Sequence, residues 1–254
     1  MKKRLFFQCT YDVTDYSGWQ KQLVVQTIQG VIEEKLSMLF GNKAIDIVGC
    51  GRTDAGVHAK QSYFHVDLAP TFSNEQLQYK LNNMLPLAIA INEIIEVDPE
   101  AHARFDATKR TYHYFIHQKK LPFRQNDSWF YPSKVSIEKM NEAATFLLGR
   151  QDFTSFSKLH TDVNNNFCAI YNAEWKFVGD QLRFEISANR FLRNMVRAIV
   201  GTLIEVGKGN IPPEAVKEII ALENRGQAGF SVPAKGLFLQ SIEYPYICDI
   251  TKET

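Results

Sequence analysis

Phe167-Cys168-Ala169-Ile170-Tyr171-Asn172-Ala173-Glu174-Trp175-Lys176-Phe177-Val178, then Gly179-Asp180, then Gln181-Leu182-Arg183-Phe184-Glu185-Ile186-Ser187-Ala188, reads as two strands joined by a two-residue turn. Such a hairpin is antiparallel, and hairpin-paired strands with helices between them favour an α+β architecture. The rest of the chain agrees. Arg4 to Asp12 reads as an opening strand, and Val24 to Leu39 as a helix through Val24, Ile28, Val31, Ile32, Leu36 and Leu39. Ala44 to Cys50 reads as a strand. Ser62, Phe64, Val66 and Leu68 alternate with Gln61, Tyr63, His65 and Asp67, the pattern of a strand with one buried face. Ser73 caps a helix from Asn74 to Leu85 that Pro86 ends, and Ala88 to Val97 is strand-like.

A second cycle starts near residue 105. Thr111 to His117 alternates as a strand, and Ser136 caps a helix that reaches Leu148 and stops at Gly149. Phe191 to Val206 reads as a helix closed by Gly207, with Leu192, Met195, Val196, Ile199, Val200 and Leu203 as its core stripe. On that helix Arg190, Arg193 and Arg197 would be neighbours on one face. Pro213 opens another helix to about Leu222, and Gly236 to Ile242 is a closing strand. The recurrence gives two related α+β halves, 1–104 and 105–254, with no Pro/Gly/Ser-rich linker to tether them apart.

With 254 residues, 45% apolar and 22% charged, the chain is of ordinary globular composition, which excludes disordered and fibrous classes. Its net charge of +1 carries no global nucleic-acid signature, but the charge is uneven. Arg104, Lys109, Arg110, Lys119, Lys120 and Arg124 face only Asp106 and Asp127 between Ala101 and Tyr131. Arg183, Arg190, Arg193, Arg197 and Lys208 face Glu185 and Glu205 between Gln181 and Asn210. Such segments suit a polyanion groove as well as a solvated face. The apolar run at the start ends at Gln8, too short for a secretory leader, and no stretch is long enough to span a bilayer. Cys9, Cys50, Cys168 and Cys248 are scattered without a C-x-x-C spacing, which points to buried reduced thiols in a cytoplasmic protein.

The chemistry concentrates in Gly51-Arg52-Thr53-Asp54-Ala55-Gly56-Val57-His58. Glycines at 49, 51 and 56 permit tight turns and close approach. In an extended segment Arg52 and Asp54 would leave the same face, where the arginine would keep the carboxylate charged and aimed. A structural turn with Asp54 bonded to amides explains the same residues. Three further stretches stand out: His102 to Tyr114, where cations alternate with aromatics; Asn189 to Arg197; and Tyr11-Asp12 with Tyr16-Ser17-Gly18-Trp19-Gln20, equally consistent with structure or contact. No phosphate-binding glycine loop, G-x-S-x-G elbow or H-E-x-x-H motif occurs. The loop around Asp54 offers one carboxylate, where a glycosidase needs two.

Taken together these stretches resemble the bacterial tRNA pseudouridine synthase A family over almost the whole chain. The resemblance runs through Tyr11-Asp12, Gly18-Trp19-Gln20, Gly51 to Ala59, His102 to Phe105 and Tyr112. It continues through Asp152 to Phe156, Met195-Val196-Arg197, Glu205-Val206-Gly207 and Gly236-Leu237. It implies the pseudouridine synthase fold, two α/β halves with antiparallel sheets around a central RNA-binding cleft. It also implies a homodimer that isomerises uridine to pseudouridine at positions 38, 39 and 40 of the tRNA anticodon stem-loop, with no cofactor and no metal. Position by position, Asp54 matches the catalytic aspartate, Arg52 the arginine that helps expel the target nucleotide, Tyr112 the tyrosine that packs on the base, and Arg197 the aspartate's arginine partner. Val13, Met84, Ala88 and Ala101 depart from the family pattern without removing a catalytic group. A tRNA-binding chaperone that retains the fold without turnover is the alternative, and the intact set of four residues weighs against it.

Overall fold

The computed structural model describes residues 2–158 and 165–247; Cys248 lies outside them. Its elements begin with β1 (Lys3–Tyr11), α1 (Ile28–Leu39), β2 (Val48–Gly49), β3 (His58–Leu68), α2 (Asn74–Met84) and β4 (Ile89–Glu96). They continue with β5 (Lys109–His117), β6 (Trp129–Phe130), α3 (Ile137–Thr145), β7 (Gly149–Asp152), β8 (Phe167–Val178), β9 (Gln181–Ala188), α4 (Met195–Gly207), α5 (Ala215–Ala221) and β10 (Leu237–Glu243). Among the described residues, 2–108 with 239–247 form one unit and 109–238 another. The architecture is α+β, and the described pairings are antiparallel except the parallel pair β5–β6. No helix among the described residues is long and apolar enough to cross a membrane.

In the first unit the strand order is β4-β1-β3-β10, with β2 also on β3. Phe7 lies opposite Phe64 in the β1–β3 register, and their rings stack at 4.7 Å, both fully buried. The helix starts later than the apolar spacing predicts. Thr27 caps it by accepting from the Gly30 amide, and the Ile28 amide bonds back to the Gly18 carbonyl, so Leu23 and Val24 stay outside and exposed. The predicted strand from Ala44 shrinks to Val48–Gly49 because helix side chains take its ladder groups. The Ile47 amide donates to Glu33 Oε1 (3.1 Å) and its carbonyl accepts from Gln29 Nε2 (3.2 Å). Ser73 closes a full capping box with Gln76 on α2, as its position predicts.

β3 is buried on both faces rather than one. Tyr63 meets Tyr244 edge-on at 5.2 Å, and His65 accepts the Ala103 amide at Nδ1 (3.1 Å) beside His102. Burial, reinforced by Arg4 and His102, pushes His65 down to about 4. Between that value and the ordinary 6.5 the unfolded chain binds the proton and the folded chain does not, so stability falls as pH drops through this window. His113 is lowered first by burial and then by Arg183, so its contribution has the same sign. Chemical denaturation at pH 7 and pH 4.5 should differ by about 3 kcal/mol in favour of neutral pH. A flat profile would remove the neutral buried histidine.

The second unit orders its strands β5-β9-β8-β7, with β6 along β5. The hairpin forms around its expected two-residue turn, Gly179 taking φ 58°, and keeps one register from Val178–Gln181 to Asn172–Ser187 before shifting at Ile170–Ala188. Trp175 and Phe184 face each other across it at 4.9 Å and are both buried. α4 is apolar all round: of its residues only Arg197 and Glu205 are not buried. It begins at Met195, not Phe191, because Asn194 takes φ 67° while its amide group donates to Ser231 Oγ (2.6 Å). Arg190 and Arg193 therefore lie ahead of the helix and do not share a helical face with Arg197.

Candidate active site

Asp54 sits on the loop between β2 and β3, half-buried, and its carbonyl accepts the Val57 amide at 3.1 Å to make a tight turn, with Gly56 at φ 82°. The residue before it is clamped from two sides. The Tyr11 hydroxyl meets Thr53 Oγ1 at 2.9 Å in the interior, and the Trp19 amide donates to the Thr53 carbonyl at 3.1 Å. Gly18, at φ 89°, lies so close that a Cβ there would stand 2.7 Å from the Thr53 carbonyl oxygen. Gly49 leaves room for the Trp19 indole in the same way, whereas nothing crowds Gly51. The Tyr11 to Gln20 stretch is thus a structural clamp on the Asp54 loop. Nothing local signals this, because the partners lie far apart in the chain.

Two more features fix the neighbourhood. His58, at the start of β3, accepts the Val13 amide at Nδ1 (3.3 Å) and lies 3.2 Å from Asp12 Oδ1. Burial works to raise the Asp12 carboxyl, but hydrogen bonds from the Thr14 hydroxyl and amide, with His58 nearby, outweigh it and hold Asp12 below the usual carboxylate range. Arg52 is exposed and forms no ion pair among the described residues. The expected Arg52–Asp54 pairing is therefore absent from this conformation. Its two-residue spacing holds, but the loop is a turn and not an extended strand, so the side chains are not forced to one side.

Tyr112 and Arg197 belong to the second unit. Tyr112, half-buried on β5 opposite Ile186, meets Phe191 edge-to-face at 5.2 Å and 90°. Arg197 leaves the first turn of α4. Its Nε donates to the Val232 carbonyl at 2.7 Å, and the Val232 amide returns a bond to the Arg197 carbonyl at 3.3 Å. The segment 228–232 that holds it is itself pinned. Gly229 donates to Thr202 Oγ1, and Arg225 bonds the Gly229 carbonyl and Ser231 Oγ. The Phe230 carbonyl lies where a Cβ on Gly201 would have to go, 1.8 Å away. Sequence reading singles out Arg197 as a candidate but does not show this backing strap. A guanidinium fixed through Nε keeps its two terminal nitrogens in a set direction, ready for an anion.

Comparison with known proteins gives the chain its class. Residues 143–245 match a family model described as tRNA pseudouridine synthase, and together with the curated relatives this makes the chain an isomerase acting on tRNA. Curated relatives extend the match to nearly the full length. A tRNA pseudouridine synthase A from Parabacteroides distasonis is 48% identical over 96% of this chain and 96% of its own. Those from Bacteroides thetaiotaomicron (45%, covering 96% of this chain and 91% of that one) and Bacillus pumilus (38%, covering 93% and 98%) agree. The chain belongs to the tRNA pseudouridine synthase A family. A solved Cbf5-Nop10-Gar1 complex matches 77% of this chain and 46% of its own at 11% identity and a TM-score of 0.34, too slight a likeness to argue from.

Proposed function

We propose that the protein converts uridine to pseudouridine at positions 38, 39 and 40 of the tRNA anticodon stem-loop, with Asp54 as the essential carboxylate. The reaction breaks the bond from C1′ to N1, turns the uracil and joins C1′ to C5; the C5 proton goes to solvent and the freed N1 takes up a proton in its place. No net oxidation occurs, so a carboxylate acting on the sugar meets the chemical demand. It does so either as nucleophile at C1′ or as base on a sugar proton. The supporting observation is the loop itself: Asp54 is only half-buried, while the preceding Thr53 is bonded through its hydroxyl to Tyr11 and through its carbonyl to Trp19, and Gly18 packs against the 53–55 backbone. A reacting group held on a rigid backbone is what positioning catalysis requires.

The other residues take supporting roles in this reading. The target base must leave its stack at a cost of a few kcal/mol, and stacking on Tyr112 offsets part of it. Arg52, exposed beside the loop, fills the place of the extruded nucleotide, and Arg197 pairs with the carboxylate. The protein works as a homodimer in the cytoplasm. The test is tritium release from tRNA labelled at uridine C5, comparing wild type with Asp54→Ala. Negligible release by both, with tight tRNA binding, would favour the chaperone reading. In the same assay Tyr112→Phe should stay near wild type and Tyr112→Ala should lose about 5- to 150-fold, because stacking needs the ring and not the hydroxyl. A near-normal rate for Tyr112→Ala removes the stacking role.

A further inference from the structure

The most exposed aromatic ring of the second unit has no part in the reaction proposed above. Phe123 is 99% exposed, on a single 3-10 turn spanning Pro122–Arg124. Lys119 and Lys120 precede it and Arg124 follows, all exposed, with Asp127 the one acid between 118 and 128. We propose that this turn is a second tRNA contact, in which Phe123 stacks on an unpaired base and Lys119, Lys120 and Arg124 take the neighbouring phosphates. The inference rests on the tRNA reading above and adds a place for the RNA beyond the C-terminal end of β5, past the strand position of Tyr112.

Three observations carry it. First, the turn is built rather than loose. Pro122 fixes its start, the Arg124 amide bonds the Leu121 carbonyl at 3.0 Å, and Arg124 Nη1 meets Asp127 Oδ2 at 2.7 Å. Second, its return is rooted in the sheet. β6 pairs in parallel with the end of β5 at Ile116–Trp129 and His117–Phe130, and His117 Nδ1 meets Ser128 Oγ at 2.9 Å, both buried. A ring on such a base loses little freedom when something stacks on it. Third, the surroundings are positive. Besides the three cations of the turn, Lys235 acts with burial to hold His117 below its ordinary value, against the opposing pull of Asp127. A bare ring among cations fits a base and its phosphates, the combination that single-stranded nucleic acid presents. An apolar protein partner would want an apolar surround instead.

The test uses the full-length protein in two measurements, tRNA affinity at fixed salt and single-turnover rate at saturating tRNA. Phe123→Ala should raise Kd by about 5- to 150-fold, and Phe123→Trp should restore it. Lys119→Gln with Lys120→Gln should weaken binding and shallow the salt dependence by about 0.7 for each phosphate no longer neutralised. The rate at saturation should stay at the wild-type value for all of them, since none touches the target base. Because Phe123 is solvated, its removal should leave thermal stability unchanged, which separates a weakened grip on RNA from a damaged fold. A Kd for Phe123→Ala within twofold of wild type overturns the proposal. So does an unchanged Kd with altered oligomeric state or altered binding to anionic vesicles, which would assign the turn to a protein or a membrane. Wild-type protein that binds tRNA but releases no tritium would sink the catalytic reading alone, and the affinity arm would still judge this one.

Discussion

Asp54→Ala is expected to lower tritium release from C5-labelled tRNA by about 10⁴-fold or more, while tRNA affinity stays within a few-fold of wild type. Removing a group that acts on the reacting atoms leaves only binding and positioning, and what these supply alone is a small fraction of an enzyme's rate. The fold should survive. Asp54 is half-buried and its backbone carbonyl, not its side chain, closes the turn to Val57. Asp54 also has a further interaction, so Asp54→Asn serves as the second variant, since it preserves shape and hydrogen-bonding capacity while removing the charge. Both variants should be inactive and should unfold near the wild-type temperature. Turnover by Asp54→Asn within about tenfold of wild type would mean that another group carries the chemistry, and the assignment would fall.

The candidate site residues were legible in the sequence more readily than their support. They stand out through the family blocks they lie in, whereas residue type alone fits a structural turn around Asp54, a core strand around Tyr112 and a solvated helix edge around Arg197 as well or better. What holds them does not stand out, because the partners are remote: Tyr11 for Thr53, Val232 for Arg197 and Ala103 for His65. The same remoteness explains the misread elements. Ile47 looks like a strand residue until Gln29 and Glu33 of α1 claim its backbone groups. β3 looks half-exposed until Tyr244 and the 102–106 segment cover its second face. At the two helix starts the apolar spacing runs on past the true end. Thr27 and Asn194 set the boundary through bonds to Gly30 and Ser231, and periodicity does not register such caps. The hairpin, closed by its own two turn residues, needs no distant partner, and its strands and turn fall where the sequence places them.

The clamp on the Asp54 loop leads to the second large effect, at Gly18. Two things are wrong with a Cβ there. The residue has φ 89°, which costs an alanine about 1–2 kcal/mol, and the new carbon would stand 2.7 Å from the Thr53 carbonyl oxygen and 3.0 Å from the Ala55 nitrogen. These are backbone atoms and cannot swing aside like the end of a side chain. Nor can Gly18 withdraw easily, because its carbonyl accepts the Ile28 amide at the start of α1 and the Trp19 carbonyl accepts the Gln29 amide. The 53–55 segment must therefore shift by a fraction of an ångström or more, carrying Asp54 with it. A displacement of that order at a reacting group costs about 10²-fold in rate. Gly18→Ala should accordingly lose about 100-fold in single-turnover rate at saturating tRNA. Gly41→Ala is the matched control: φ there is 75°, but a Cβ would meet nothing within 4 Å. It should lose the same order of stability and keep its turnover. Equal rates for the two variants, both close to wild type, would show that the contact between Gly18 and Thr53 does not position the carboxylate.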